Sequence, residues 1–245
     1  MAAVVDLPPS RSPGRPRARA ALVLSLALAL AAACGGDSGS SGDTGQAAPA
    51  TSAPPAAATG PCHGAAPGSP ASLHFGAEPA LTVDQHAAYT AVLSTNCGAI
   101  TLSLAVAQAP HTVNSFAFLA GQKYFDHSPC HRLTTAGIFV LQCGDPTGSG
   151  TGGPGYTIPD ENLAGATYPA GTVAMANTGR PHTGGSQFFL VYRDTQLPPS
   201  YTPFAKVTAG LDVLQQIAAL GTTGGGPDGP PRGGVVIDSV TVTKS

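Results

Sequence analysis

CHRLTTAGIFVLQCGD, residues 130–145, carries a strand signal at Ile138–Gln142 and, ahead of it at hairpin distance, the single basic side chain Arg132. The two segments are expected to pair as antiparallel strands. Cys130 and Cys143 stand at either end of this hairpin.

Outward from it the signals repeat. Tyr89, Ala91 and Leu93 on one side of Asn96-Cys97-Gly98, and Ile100, Leu102, Leu104 and Val106 on the other, alternate with period two and predict a second hairpin. Pro110 opens and Gly121 closes a stretch with Val113, Phe116, Ala117 and Ala120 at helical spacing. Leu211, Leu214, Ile217 and Ala218 mark a second helix, and Thr172–Ala176, Gln187–Tyr192 and Val235–Val242 read as further strands between Gly- and Pro-rich loops. Many strands with only two helices favour a mainly β, closed antiparallel barrel over a βαβ sheet.

The 245 residues suit one domain plus a tail. Charged residues make up 10% and the net charge is −2, so no basic footprint for nucleic acid is present. Arg11, Arg15, Arg17 and Arg19 precede an apolar run, Ala20–Ala33, of about 14 residues; this reads as an export signal, too short for a permanent span. Ala31-Ala32-Ala33 before Cys34 resembles the lipobox of bacterial lipoproteins, with Ala31 where Leu is usual. That resemblance implies lipidation at Cys34 and a membrane-anchored protein facing the extracytoplasmic side. Gly35 to about Ala71 is too poor in large apolar groups to order itself and reads as a flexible tether; residues 72–84 carry no clear signal. The expected division is therefore 1–33 signal peptide, 34–84 lipidated N-terminus and linker, and 85–245 folded domain.

Four blocks in order resemble the cyclophilin family of peptidyl-prolyl cis-trans isomerases: Cys130-His131-Arg132-Leu133, Phe139 to Asp145, Met175-Ala176-Asn177, and Gly185-Ser186-Gln187-Phe188-Phe189. Gly150-Thr151-Gly152-Gly153, Asp160-Glu161-Asn162 and Phe204-Ala205-Lys206-Val207 follow the same order. The resemblance covers roughly residues 85–245 and implies a closed eight-stranded antiparallel barrel capped by two helices, acting on proline-containing polypeptides as a monomer without cofactor. It implies that Arg132, Phe139 and Gln142 form the catalytic set. Val140, Ala176, Asn177, Gln187, Phe189, Leu197, Pro198 and Tyr201 would line the substrate groove. For Phe139 and Phe189 the alternative is plain core packing, and for Gln187 a strand hydrogen bond.

Departures from the family are specific. Leu197 stands where many members have Trp, which implies weak cyclosporin binding; Tyr201 takes the place of a pocket His, and Ala205 that of a Gly. The loop Thr178–Gly184 is one residue longer, and its His182 has no ligand partner at metal-binding spacing, so no metal is assigned. With Cys34 acylated, Cys62, Cys97, Cys130 and Cys143 allow three pairings, of which Cys130–Cys143 with Cys62–Cys97 is expected; four buried free thiols are the alternative. Two rivals to an isomerase stand: a proline-binding chaperone or scaffold on the same barrel, and an unrelated lipoprotein sharing only the export signal.

Overall fold

The computed structural model describes residues 61–245. The signal segment, Cys34 and the tether as far as residue 60 lie outside them.

Strands β1 (Tyr89–Thr95) and β2 (Gly98–Leu104) form the expected hairpin, with Leu93 opposite Ile100 and Ala91 opposite Leu102. These four side chains face inward and are fully buried. The turn closes by a bond from Thr95 Oγ1 to the Gly98 carbonyl, at 2.6 Å, and Gly98 adopts φ +131°, a region that glycine alone enters freely. Helix α1 (Pro110–Gly121) starts on its proline and has no side-chain cap of its own. Glu161 supplies one from a distant loop, accepting the backbone N–H of His111 at 3.1 Å and of Thr112 at 2.9 Å. A carboxylate there satisfies orphan donors and complements the helix dipole.

The remaining strands are β3 (Ser128–Pro129), β4 (Arg132–Thr134), β5 (Val140–Cys143), β6 (Thr172–Met175), β7 (Phe188–Val191), β8 (Pro203–Ala209), β9 (Asp228–Gly229) and β10 (Val236–Lys244), with helix α2 (Leu211–Leu220) between β8 and β9. All ladders are antiparallel, in the order β3-β10-β1-β2-β8-β6-β7-β5-β4-β9. The sheet is strongly curled, mainly β with two helices as expected, but it is an open ladder of ten strands and not a hydrogen-bonded closed ring of eight. The reason lies at residues 128–134. Pro129 has no N–H to extend a ladder, and the chain changes partner after it: β3 pairs with β10, whereas β4 pairs with β5 and β9. Only Cys130 and His131 separate β3 from β4, so the gap in pairing is bridged by the chain itself.

Inside the curl, Phe116, Phe125, Phe188 and Phe204 stack edge-to-face or tilted, with centroids 5.2–6.4 Å apart where they meet. Both expected disulfides are present, Cys130–Cys143 across the β4–β5 hairpin and Cys62–Cys97.

The second disulfide changes the picture of the linker. Cys62 is buried, and from there to Val83 the chain lies on the domain as a strap, so the expected linker to residue 84 ends more than twenty residues early. His63 N–H bonds Asn96 O at 2.8 Å, and Phe75 inserts its ring beside Phe118, Tyr124 and Tyr156. Composition gives no warning of this, because a few side chains hold the strap and not its average hydrophobicity. The principal holder is Asn114 of α1, 2% exposed, whose Oδ1 accepts from Thr82 and Val83 and whose Nδ2 donates to Pro79 and Ala80 carbonyls. Asn114→Ala leaves those groups without partners and is expected to cost about 1–3 kcal/mol. The measurement is the denaturation midpoint together with proteolysis: new cleavage within residues 63–83 is the expected result.

Candidate active site

Register places Arg132 directly opposite Gln142 in the β4–β5 pair. Residues two apart on a strand share a face, so Val140 and Gln142 of β5 point the same way; with Ile138, from the bend just ahead of the strand, they line a cavity of 150 Å³. Its other walls are Arg132, Ala176, Asn177, Phe189, Leu197 and Tyr201. The apolar part belongs to a small cluster separate from the main core, in which Val140, Phe189 and Tyr168 are buried and Ile138, Leu197 and Tyr201 partly so. Tyr201 closes edge-on against Phe189, with centroids 5.5 Å apart.

Most of the residues singled out by sequence therefore meet in one place, with three exceptions. Phe139, immediately ahead of β5, turns away from the cavity and packs with the main core beside Tyr192 while the Arg193 guanidinium lies 3.3 Å from its ring centroid. Ile138 takes its place in the cavity wall. Pro198 is exposed on the loop between Leu197 and Tyr201 and does not line the cavity. Gln187 lines the neighbouring cavity, with its side chain hydrogen-bonded to Gln142 of β5 and to the Gly152 carbonyl. His182 is engaged by the loop, its Nδ1 accepting the Asp160 N–H at 3.0 Å.

A hydrogen-bonded chain runs along the floor. Asp228 accepts from Arg132 Nε at 2.8 Å and Nη2 at 2.6 Å. Arg132 Nη1 reaches Gln142 Oε1 at 3.4 Å, Gln142 Nε2 donates to Gln187 Oε1 at 2.9 Å, and Gln187 Nε2 donates to Gly152 O at 2.9 Å. The bidentate fork fixes the plane of the guanidinium and leaves Nη1 turned to the cavity. The bond to Asp228 raises the pKa of Arg132 further, and the same bond holds the Asp228 carboxyl below the usual carboxylate value. Asn177 is held by Nδ2 on Ser200 O at 2.7 Å while its Oδ1 accepts the Gly179 N–H.

A family model described as cyclophilin type peptidyl-prolyl cis-trans isomerase/CLD matches residues 90–242. The chain belongs to this family. Among curated cyclophilins, it is 50% identical over 168 residues to the probable peptidyl-prolyl cis-trans isomerase B of Mycobacterium leprae, covering 63% of this chain and 57% of the relative. It is 51% identical over 160 residues to the protein of the same name from Mycobacterium tuberculosis, covering 60% and 52%. This chain thus spans little more than half the length of those relatives. A solved cyclophilin from Cryptosporidium parvum superimposes with a TM-score of 0.58 at 26% identity over 64% of this chain and 99% of that one. A second structure of it, determined in the presence of the dipeptide Ala-Pro, gives a TM-score of 0.57 at 27% identity over the same shares.

Besides Ile138, sequence reading missed Asp228. It lies in a Gly- and Pro-rich loop, Gly224–Gly234, with no periodicity, and reaches Arg132 only because β9 pairs with β4, Asp228 standing opposite Thr134. A lone acidic residue in a loop otherwise without charge until Arg232 is the one signal that was available.

Proposed function

We propose that this cyclophilin catalyses cis-trans isomerisation of X-Pro bonds in exported polypeptides. The observation that carries the reading is the Arg132 guanidinium, held on two of its three nitrogens by Asp228, with the third 3.4 Å from Gln142 Oε1, in the wall of a cavity that also presents Ile138, Val140, Phe189 and Leu197.

Rotation about a peptide bond meets a barrier of about 18–20 kcal/mol, and uncatalysed X-Pro conversion takes tens to hundreds of seconds. Twisting breaks amide resonance and returns a lone pair to the prolyl nitrogen. A donor aimed at that nitrogen gains strength only in the twisted state and so lowers the barrier selectively. Arg132 is permanently charged and supplies that donor without titrating. Val140, Phe189, Ile138 and Leu197 grip the ring, while Gln142 and Asn177 hold the adjoining backbone, so one side of the bond is fixed and the other turns. The test is acceleration of cis-to-trans conversion in an Ala-Pro peptide by the purified full-length chain. A rate at the uncatalysed value with peptide still bound favours the proline-binding scaffold instead.

The exported setting rests on the Arg-bearing signal before Cys34 and on the two disulfides, which persist outside a reducing cytosol. Lipidation at Cys34 then places the domain on the extracytoplasmic side of the membrane. Mass spectrometry of the mature N-terminus checks it: an acylated Cys34 is expected.

Leu197, partly buried in the apolar cluster, offers no indole to a bulky macrocycle. Cyclosporin is expected to bind weakly, and Leu197→Trp to tighten binding by about tenfold or more, since an aromatic anchor in a pocket contributes on the order of 1–3 kcal/mol. Titration calorimetry decides it; a nanomolar dissociation constant for the unaltered chain overturns the expectation.

A further inference from the structure

Beside the proline cavity lies a larger one of 620 Å³, walled by the 150–157 loop, the 176–178 and 183–187 segments, Gln142 and His74. The two cavities share Gln142, Ala176 and Asn177, so they form one continuous groove. His74 does not come from the region matched to the family, which begins at residue 90. It comes from the strap.

Its position is fixed on both sides. Phe75 donates its N–H to Pro154 O at 2.8 Å, and its ring lies 5.1 Å from that of Phe118 and 6.5 Å from those of Tyr124 and Tyr156. Upstream the strap is held by the Cys62–Cys97 disulfide, downstream by Asn114. The approach to the 150–157 loop is so close that a Cβ on Gly155 would fall 2.5 Å from Phe75 O and 2.6 Å from the His74 ring. Gly155 also adopts φ +98°, so glycine is required here twice over.

The wall has one further property. Among the described residues, no carboxylate, lysine or arginine lines the cavity, and apart from the Tyr156 phenol His74 is its only titratable side chain. Asp145 lies beneath the 150–152 turn, fully buried, and its oxygens are taken by Thr147, Ser149, Gly150 and Gly152. Burial opposes its ionisation, but those donors outweigh it and hold the carboxyl below its usual pKa. The larger cavity therefore presents an imidazole, a phenol and neutral amides and hydroxyls to whatever enters, and the nearest cation is Arg132 in the wall of the smaller one.

In an extended chain, side chains two apart point to the same face and lie roughly 7 Å apart. With proline in the smaller cavity, a side chain two residues away along an extended peptide is within reach of the larger one. An imidazole offers an N–H to a carboxylate in either protonation state, and its protonated form also repels an ammonium. We propose that His74 is a specificity-determining residue that selects an acidic side chain two residues ahead of the proline. This rests on the isomerase reading of the adjoining cavity.

The test uses the full-length chain and two peptides that differ only by Glu or Lys two residues before proline. The ratio of their kcat/KM values, Glu over Lys, is expected to be about three to ten in the unaltered protein, the span of partly exposed charge-assisted bonds. His74→Ala should bring the ratio near one, His74→Lys should restore it, and His74→Glu should invert it. Damage to the strap alone would lower both rates and leave their ratio in place. An unaltered ratio in His74→Ala and His74→Glu, or no preference in the parent chain, overturns the proposal. If neither peptide is turned over, the isomerase reading fails separately, and the same ratio taken from dissociation constants still decides the role of His74.

Discussion

Arg132→Ala is expected to lower kcat/KM toward an Ala-Pro peptide by about 10²–10³-fold, the loss typical of removing one aimed donor from a transition state. Stability should hardly move. The Arg132–Asp228 pair is 39% and 50% exposed at its two side chains, and pairs so open to water contribute below about 1 kcal/mol. The combination of a large rate loss with an unchanged denaturation midpoint separates a catalytic arginine from a structural one. Arg132→Lys is the sharper variant. It keeps the charge but has no fork to be held on two nitrogens while a third faces the cavity, so it should recover little of the lost rate. Full activity in Arg132→Ala would sink the mechanism.

Asp228→Ala comes second, with an expected fall of about 10–100-fold carried by kcat and little change in KM. Asp228 does not itself line the cavity; it acts by orienting Arg132, which does, and misplacement of a catalytic group by about 1 Å is enough for losses of this size. Asp228→Asn retains one acceptor and should fall between. The pair also sets a pH response. Arg132 lowers the Asp228 pKa, so the fork is intact above the ordinary carboxylate value of about 3.9 and is lost only as pH falls through the lowered one. The rate should therefore be flat from about pH 8 to 5 and decline only in stronger acid, whereas Asp228→Ala should show no acid limb from this group. A KM effect without a kcat effect would instead make Asp228 part of the binding surface.

Much of the fold was legible because its strongest elements carry their period in sequence. The β1–β2 hairpin needed only alternation and a glycine turn, and α1 begins and ends on the Pro110 and Gly121 that announced it. Strands β5, β6, β7 and β10 start or stop one or two residues from their expected limits, as fraying ends do. Strand β8 was not recognised as one, since Pro203 at its head and two exposed residues at its tail leave little alternation. Strands β3 and β9 are two residues long, below any period, and with them went the true closure of the sheet and the partner of Arg132. In the site, resemblance placed Arg132, Val140, Gln142, Ala176, Asn177, Phe189, Leu197 and Tyr201 together. It also put Phe139 there, where the structure has Ile138, from the bend just ahead of β5, in the cavity wall and Phe139 against the main core.

The Cys62–Cys97 bond also decides how the domain bears mechanical load. Tension applied to the chain ahead of Cys62 enters through a covalent link to the β1–β2 turn, so residues 63–96 lie in a loop that the force bypasses. The weak bonds of the strap are then never pulled in series with the chain ahead of Cys62. A tugged domain turns about its anchored corner while Phe75 stays seated between its rings, and the groove keeps its shape under traction that would peel off an uncrosslinked strap.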